Sequence, residues 1–175
     1  MSNDLLIIKS PEHLLAQVHA MKCESEDRLQ DLIDSLTQHN NMAAADIFSR
    51  THKLIKLSVQ NIEQKAQGMQ LPEIPPWESQ WHCNEQPDYL CIENAHYLMT
   101  PVQALDLAIF NEKRLLIFFK QQTEIGLNEN IRLIANELLI HENQLTKQMQ
   151  SWREHLEKSE TEQQNEDFDP PNIPE

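Results

Sequence analysis

The chain has 175 residues, enough for one domain with a sizeable core, and it carries a formal charge of -14 and only two glycines. The acidic excess disfavours binding to nucleic acid or to an anionic membrane surface, because phosphate recognition needs clustered lysine and arginine. No apolar run approaches the length of a membrane span. Since sheets connected by tight turns usually need more glycine, we predict an all-α protein.

The first half of the chain predicts a helical hairpin. Ser10 followed by Pro11 is typical of a helix N-cap and first helical residue, and the apolar stripe that follows reaches about His39. A second helix is predicted from about Ala43 and carries its own apolar stripe. Because the polar turn between them is so short, the two helices should be antiparallel.

The second half predicts another hairpin. Thr100 and Pro101 repeat the capping pattern, and the helix they open should end at Ile125, before Gly126. A fourth helix is predicted from about Asn128 to Glu157. Each helix of this pair carries one polar residue on its apolar stripe, Glu112 in the third and His141 in the fourth. The predicted bundle therefore has a polar centre.

The remaining segments are a long connection and a tail. Prolines interrupt the stretch from about 69 to 99, and so long a loop within a domain needs a structural reason. We interpret it as a crossover from one end of the bundle to the other. Residues 158–175 are acidic and contain proline, which predicts a flexible tail. The domain boundaries are thus 1–157 for the bundle and 158–175 for the tail.

Three stretches of the sequence resemble a known superfamily. They are A-H-Y-L-M-T-P at 95–101, N-E-K-R-L-L-I-F-F at 111–119 and I-A-N-E-L-L-I-H-E-N-Q-L at 134–145. In this respect the chain is similar to the rubrerythrin branch of the ferritin-like superfamily, over roughly residues 10 to 155. The resemblance implies a ferritin-like four-helix bundle of two antiparallel hairpins joined by a long crossover.

The resemblance also implies a set of metal ligands, of which this chain keeps few. Ferritin-like two-metal centres use one glutamate from each of two helices and a Glu-x-x-His pair from each of the other two. Matching the pattern position by position retains a glutamate and a histidine and replaces the other four ligands by a lysine, two apolar residues and a serine. The six positions are Lys22, Ile55, Ser58, Glu112, Leu138 and His141.

These replacements suggest a core without metal. A buried lysine is costly unless it is paired, and a glutamate that has lost its metal has the complementary problem. We therefore hypothesise that Lys22 pairs with Glu112 in the space of the metals. His141 and Ser58 would be hydrogen-bond partners, while Ile55 and Leu138 supply hydrocarbon. The alternative is that Lys22 extends its amine to the edge of the bundle and never meets Glu112.

A retained metal site is the second reading. If the register shifts by one turn, one iron or manganese ion has carboxylate and imidazole ligands within reach, and the protein would be a rubrerythrin-like oxidase or peroxidase. The candidate ligands are Glu26, His52, Glu112, Glu137 and His141. On the first reading there is no cofactor, and the protein is a structural or protein-interaction module. Iron storage is disfavoured because no ferroxidase centre can be recognised.

The cysteines complete the sequence-based expectations. A possible zinc cluster in the crossover comprises His82, Cys83, Cys91 and His96, but its spacing matches no usual zinc motif. Free cysteines are favoured, and three widely spaced thiols fit a reducing compartment. We therefore predict a cytoplasmic location. A homodimer is the predicted assembly, with the acidic tail as a second surface for a protein partner.

Overall fold

The computed structural model describes residues 8–75 and 96–166, with side chains up to residue 159. Within these ranges the chain forms four helices and no strand. They are α1 (Pro11–Gln38), α2 (Met42–Lys65), α3 (Pro101–Ile125) and α4 (Glu129–Glu166). The predicted all-α four-helix bundle is confirmed.

The helices begin where the sequence places capping residues. Ser10 caps α1 by accepting a hydrogen bond from the backbone of His13, and Pro11 follows it. Thr100 caps α3 in a capping box with Gln103, in which each side chain bonds the other residue's backbone N–H. The first orphan N–H groups of these helices are therefore satisfied by side chains close in sequence.

The helices pack as two hairpins, α1 with α2 and α3 with α4, and the hairpins meet mainly through α2 and α3. The turn between α1 and α2 contains Asn40 at a φ of 58°, a left-handed conformation that asparagine tolerates better than most residues. Gly126 ends α3. A Cβ there would lie 2.6 Å from the carbonyl oxygen of Gln122, so this tight turn needs glycine for space.

Asn41 ties the two hairpins together at one end of the bundle. Its side-chain oxygen accepts a hydrogen bond from the backbone of Ala44 at the start of α2. Its amide nitrogen donates to the carbonyl oxygens of Tyr97 and Met99, just ahead of α3. The N-termini of α2 and α3 therefore lie at the same end. The C-terminus of α2 lies at the opposite end, so the two helix ends that the connection joins are at opposite ends of the bundle.

The apolar core is divided into two clusters, and each contains residues from all four helices. One includes Leu29, Phe48, Leu105 and Met149, and the other includes Leu15, Ile62, Phe119 and Ala135. Between them each helix contributes at least one buried polar residue, including Lys22 from α1, Ser58 from α2, Glu112 from α3 and Glu142 from α4. The bundle thus has a polar layer between two hydrocarbon layers.

The fourth helix extends beyond its predicted end at Glu157. The structure continues α4 to Glu166, nine residues into the segment predicted as a tail. Glutamate and glutamine make up most of this extension, and both are good helix formers even without an apolar face to bury. None of the helices in the described ranges combines the length and apolarity needed to cross a lipid bilayer.

Candidate functional site: a buried lysine between two glutamates

The polar layer is centred on the ammonium group of Lys22. Its Nζ donates to Oε2 of Glu112 in a short contact, and it donates to Oε1 of Glu142 at 3.0 Å. All three residues are almost completely buried, with exposed fractions of 1% for Lys22, 3% for Glu112 and 1% for Glu142. One cation therefore lies between two carboxyl groups, far from solvent. Lys22 does not extend to the edge of the bundle.

Two residues expected as hydrogen-bond partners of this pair do not form such bonds. Among the described residues, the hydrogen bonds of Lys22 go to Glu112 and Glu142, and neither Ser58 nor His141 takes part. The sequence-based expectation is corrected here by helical phase. Successive residues of a helix are turned by about 100°, so His141 lies at the flank when Glu142 points inward. Ser58 is buried in the layer but contributes no hydrogen bond to the pair.

The electrostatics of the site follow from burial and from the lysine. Burial opposes the charge of Lys22, yet the two carboxyl groups outweigh it and raise the pKa of its ammonium group. Burial likewise disfavours the charge of Glu112, but the adjacent Lys22 ammonium holds the pKa of Glu112 below its usual value. The two glutamates are therefore not equivalent, since Glu142 behaves in the opposite way.

Glu142 is the carboxyl group that retains a proton more readily. Burial raises its pKa well above that of an ordinary glutamate; Lys22 partly counteracts this, and the charge of Glu112 adds to it. His141, at the flank, has its pKa lowered by partial burial and by Lys22 and Lys65. The imidazole is therefore kept neutral beside this cluster.

The five candidate ligands of a retained metal site do not converge in the structure. Glu26 and His52 pair with each other across α1 and α2 at 3.5 Å, whereas Glu137 pairs at the surface with Lys65 at 2.5 Å. Glu112 contacts Lys22 instead. Within residues 8–75 and 96–166 there is no group of three or more histidine, cysteine, aspartate or glutamate side chains that could hold a metal ion.

Hydrocarbon completes the site on its other sides. Ile55 and Leu138 are buried, with exposed fractions of 2% and 5%, and each belongs to one of the two core clusters. Both side chains therefore point into the bundle. Of the possible zinc cluster, His96 is exposed ahead of α3, and His82, Cys83 and Cys91 lie outside the described residues. Cys23 is a free cysteine on α1.

A small, partly open cavity adjoins the site beside Glu112. Its lining combines three apolar residues with four polar ones, and it comprises Ser25, Leu29, Thr51, Ile55, Ala108, Asn111 and Glu112. The space open to the centre of a water molecule is about 10 Å³, roughly what a single water needs. The site therefore has room for water but not for an organic substrate.

Glu142 is the site residue that sequence reasoning missed. The signal was present, because Ile131, Ala135, Leu138, Glu142, Leu145 and Met149 recur at steps of four and three and are all buried. The stripe predicted from the sequence runs through Leu138 and His141, whose separation of three residues is also a helical spacing. The resemblance to a ligand pattern favours the histidine over the adjacent Glu142.

Comparison with known proteins supports the fold and goes no further. The sequence matches no known protein family and no curated protein. The fold is similar to the crystal structure of an uncharacterized conserved protein from Magnetospirillum magnetotacticum MS-1. The TM-score is 0.63 and the sequence identity is 24%, and the match covers 84% of this chain and 95% of the other. At this identity the likeness shows a shared four-helix bundle and nothing about activity.

Proposed function

We propose that this protein is a ferritin-like bundle without a working two-metal centre, and that it acts as a structural or protein-interaction module. The observation that carries the proposal is the position of the Lys22 ammonium group. It lies in the middle of the bundle and contacts both Glu112 and Glu142. On this proposal, the ammonium group of a side chain takes the place of the metal ions that the resemblance implies.

The available donor set does not fit a dinuclear iron or manganese centre. Such a centre needs about six carboxylate and imidazole ligands that converge on two ions. Here the two buried carboxyl groups are already engaged by Lys22, while Ile55 and Leu138 offer only hydrocarbon. A metal ion beside the ammonium would also meet like-charge repulsion in a medium of low dielectric constant.

The interaction role is supported by features of the surface. Ile117 on α3 and Leu133 and Ile140 on α4 are each more than half exposed. Single exposed apolar residues are common, so they favour an interface only as a group. We propose a second copy of the chain as the first partner to test, by sedimentation equilibrium of the protein and of an Ile117→Lys, Ile140→Lys variant. A monomeric wild-type protein would remove this part of the proposal.

Elemental analysis tests the absence of a metal centre. The purified protein is measured before and after anaerobic exposure to ferrous iron, followed by desalting. We expect iron, manganese and zinc well below one atom per chain in both samples. The matched variant is Lys22→Ala, which removes the ammonium and leaves both glutamates. One or two irons per wild-type chain would overturn the proposal and favour the rubrerythrin-like oxidase, whereas iron in Lys22→Ala alone would support it strongly.

A further inference from the structure

We propose that the cluster of Lys22, Glu112 and Glu142 is a buried proton-binding site, in which the two carboxyl groups share one proton at neutral pH. The ligand is therefore a hydron taken from water rather than a metal ion or an organic molecule. The proposal uses the same residues as the proposed function and rests on it, because a bound metal ion would displace the proton.

The net charge of the cluster depends on whether one of its two carboxyl groups keeps a proton. If both glutamates are ionised, the cluster contains one positive and two negative charges and has a net charge of -1. With one carboxyl proton retained, the cluster is neutral. An uncompensated buried charge costs several kcal/mol in real proteins, so the neutral form is strongly preferred in a layer enclosed by hydrocarbon. The exposed fractions of the three side chains, 1–4%, leave little room for compensation by solvent.

No other described group supplies the missing positive charge. On α4 the nearest ionisable neighbour is His141, and partial burial together with Lys22 and Lys65 lowers the pKa of its imidazole. On α2 the buried residues at this level are Thr51, Ile55 and Ser58, which do not titrate. Glu26 of α1 and His52 of α2 pair with each other. The charges acting on Glu142 come from Lys22 and Glu112.

Lys22 also brings the two carboxyl groups next to each other, because its Nζ contacts one oxygen of each glutamate. Two ionised carboxylates at such a shared site repel each other, and neither has a donor to offer the other. A proton on one of them removes the repulsion and supplies an O–H donor. The raised pKa of Glu142 and the lowered pKa of Glu112 assign the proton chiefly to Glu142.

A small cavity adjoins Glu112 on one side of the cluster. It is partly open, has room for about one water molecule, and its lining includes Ser25, Thr51 and Asn111 beside Glu112. A water molecule that enters it would come next to Glu112, which shares the proton with Glu142. We therefore expect proton exchange without unfolding of the bundle.

Infrared spectroscopy tests the proposal directly. A protonated carboxyl group has a C=O stretching band, separate from that of carboxylates, that shifts when H₂O is replaced by D₂O. We expect this band in the metal-free wild-type protein at neutral pH. It should disappear in Glu142→Gln, where Glu112 remains ionised beside Lys22. It should disappear equally in Glu112→Gln, because Glu142 then becomes the single carboxylate partner of Lys22 and ionises.

An exposed glutamate provides the control for the infrared experiment. Glu137→Gln changes an exposed glutamate paired with Lys65, and it should leave the band unchanged. Absence of the band in metal-free wild-type protein would overturn the proton site while leaving the proposed function intact. Persistence of the band in both variants would place the proton elsewhere and also overturn it. If either variant fails to fold, the other decides, since each removes one of the two sharing groups. Metal in the wild-type sample would contradict the proposed function as well.

Discussion

Glu142 directly follows His141, and this single step decides which of them lies inside the bundle. The carboxyl group of Glu142 is 1% exposed and bonds Lys22, whereas His141 stands at the flank of α4. The core therefore contains two acids and one base. One carboxylate is enough to balance the positive charge of Lys22. The second carboxyl group makes the net charge of the cluster depend on whether a proton is bound.

Replacement of Lys22 by methionine should destabilise the protein by roughly 3–5 kcal/mol, because it removes the shared partner of two buried carboxyl groups. Lys22→Met combined with Glu112→Leu and Glu142→Leu should recover most of that loss, since a hydrocarbon core of similar volume needs no charge compensation. Urea denaturation monitored by circular dichroism measures both. Additive losses in the triple variant would contradict the structural pairing.

Either glutamate alone should be able to compensate the positive charge of Lys22. Glu112→Gln or Glu142→Gln alone leaves one carboxylate to compensate Lys22, so each should cost only about 1–2 kcal/mol. The double variant leaves the ammonium group without a counter-charge and should lose roughly 3–5 kcal/mol more than the sum of the single losses. Glu137→Gln, at the surface, is the matched control and should change the stability by less than about 0.5 kcal/mol. Simple additivity of the buried pair would exclude this compensation.

The free energy of unfolding should depend on pH with a sign set by each group. The folded-state pKa of Glu142 is raised, so the native state holds a proton that the unfolded chain releases. The free energy of unfolding therefore falls as pH rises from about 4.5 toward the folded-state pKa. The pKa of Glu112 is lowered, so its contribution is present above about 4.5 and is lost as pH falls through the folded-state value. The contribution of Lys22, whose pKa is raised, is lost only in strong alkali.

A series of urea titrations across pH checks these signs. The wild-type protein should be most stable at weakly acidic pH and become less stable toward neutral and alkaline pH. In Glu142→Gln the decline on the alkaline side of this maximum should be abolished up to the titration of Lys22, while the acid limb due to Glu112 remains. An unchanged profile in this variant would mean that Glu142 is ionised in the folded protein throughout.

Asn41 should contribute more than an ordinary helix cap. Asn41→Ala loses the cap of α2 and both hydrogen bonds to the backbone ahead of α3, which together should cost about 2–3 kcal/mol. Asn41→Asp keeps the oxygen that caps α2 and lacks the amide donors, so it should lose only the part due to the bonds to Tyr97 and Met99. Thermal or urea unfolding distinguishes the two. Equal losses in both variants would mean that the cap contributes nothing measurable.

The sequence predicts the fold well because its signals are local. Ser10, Thr100 and Gly126 mark helix ends by side-chain capping and by the space that a turn requires, and the apolar periodicity identifies the stripes. The inward positions of Lys22 and Glu112 follow from the same periodicity. The two residues are 90 positions apart in the sequence. Their contact depends on how far α1 and α3 are shifted along the bundle axis relative to each other, which periodicity within one helix does not determine.

The pairing of Glu142 with Lys22 is harder to predict from the sequence, because it depends on the rotation of α4 about its axis. Apolar stripes on α4 can be drawn through either His141 or Glu142, since both continue from Leu138 at helical spacing. The choice depends on the rotation of α4 by about 100°, and this is set by packing against the other three helices. Similarly, the end of α4 at Glu166 could not be read from periodicity, because residues beyond Glu157 have helix propensity without an apolar stripe.

The bonds from Asn41 to the backbone ahead of α3 have a consequence for how this chain can vary. They fix the point where the crossover arrives, and they do so from the turn of the first hairpin. The registration of α3 is thus independent of the length of the chain that precedes it. Doubling a loop costs only about 0.6 kcal/mol in closure entropy. We therefore expect insertions between α2 and Tyr97 to leave the buried lysine beside its glutamates, as long as the hydrogen bonds from Asn41 are kept.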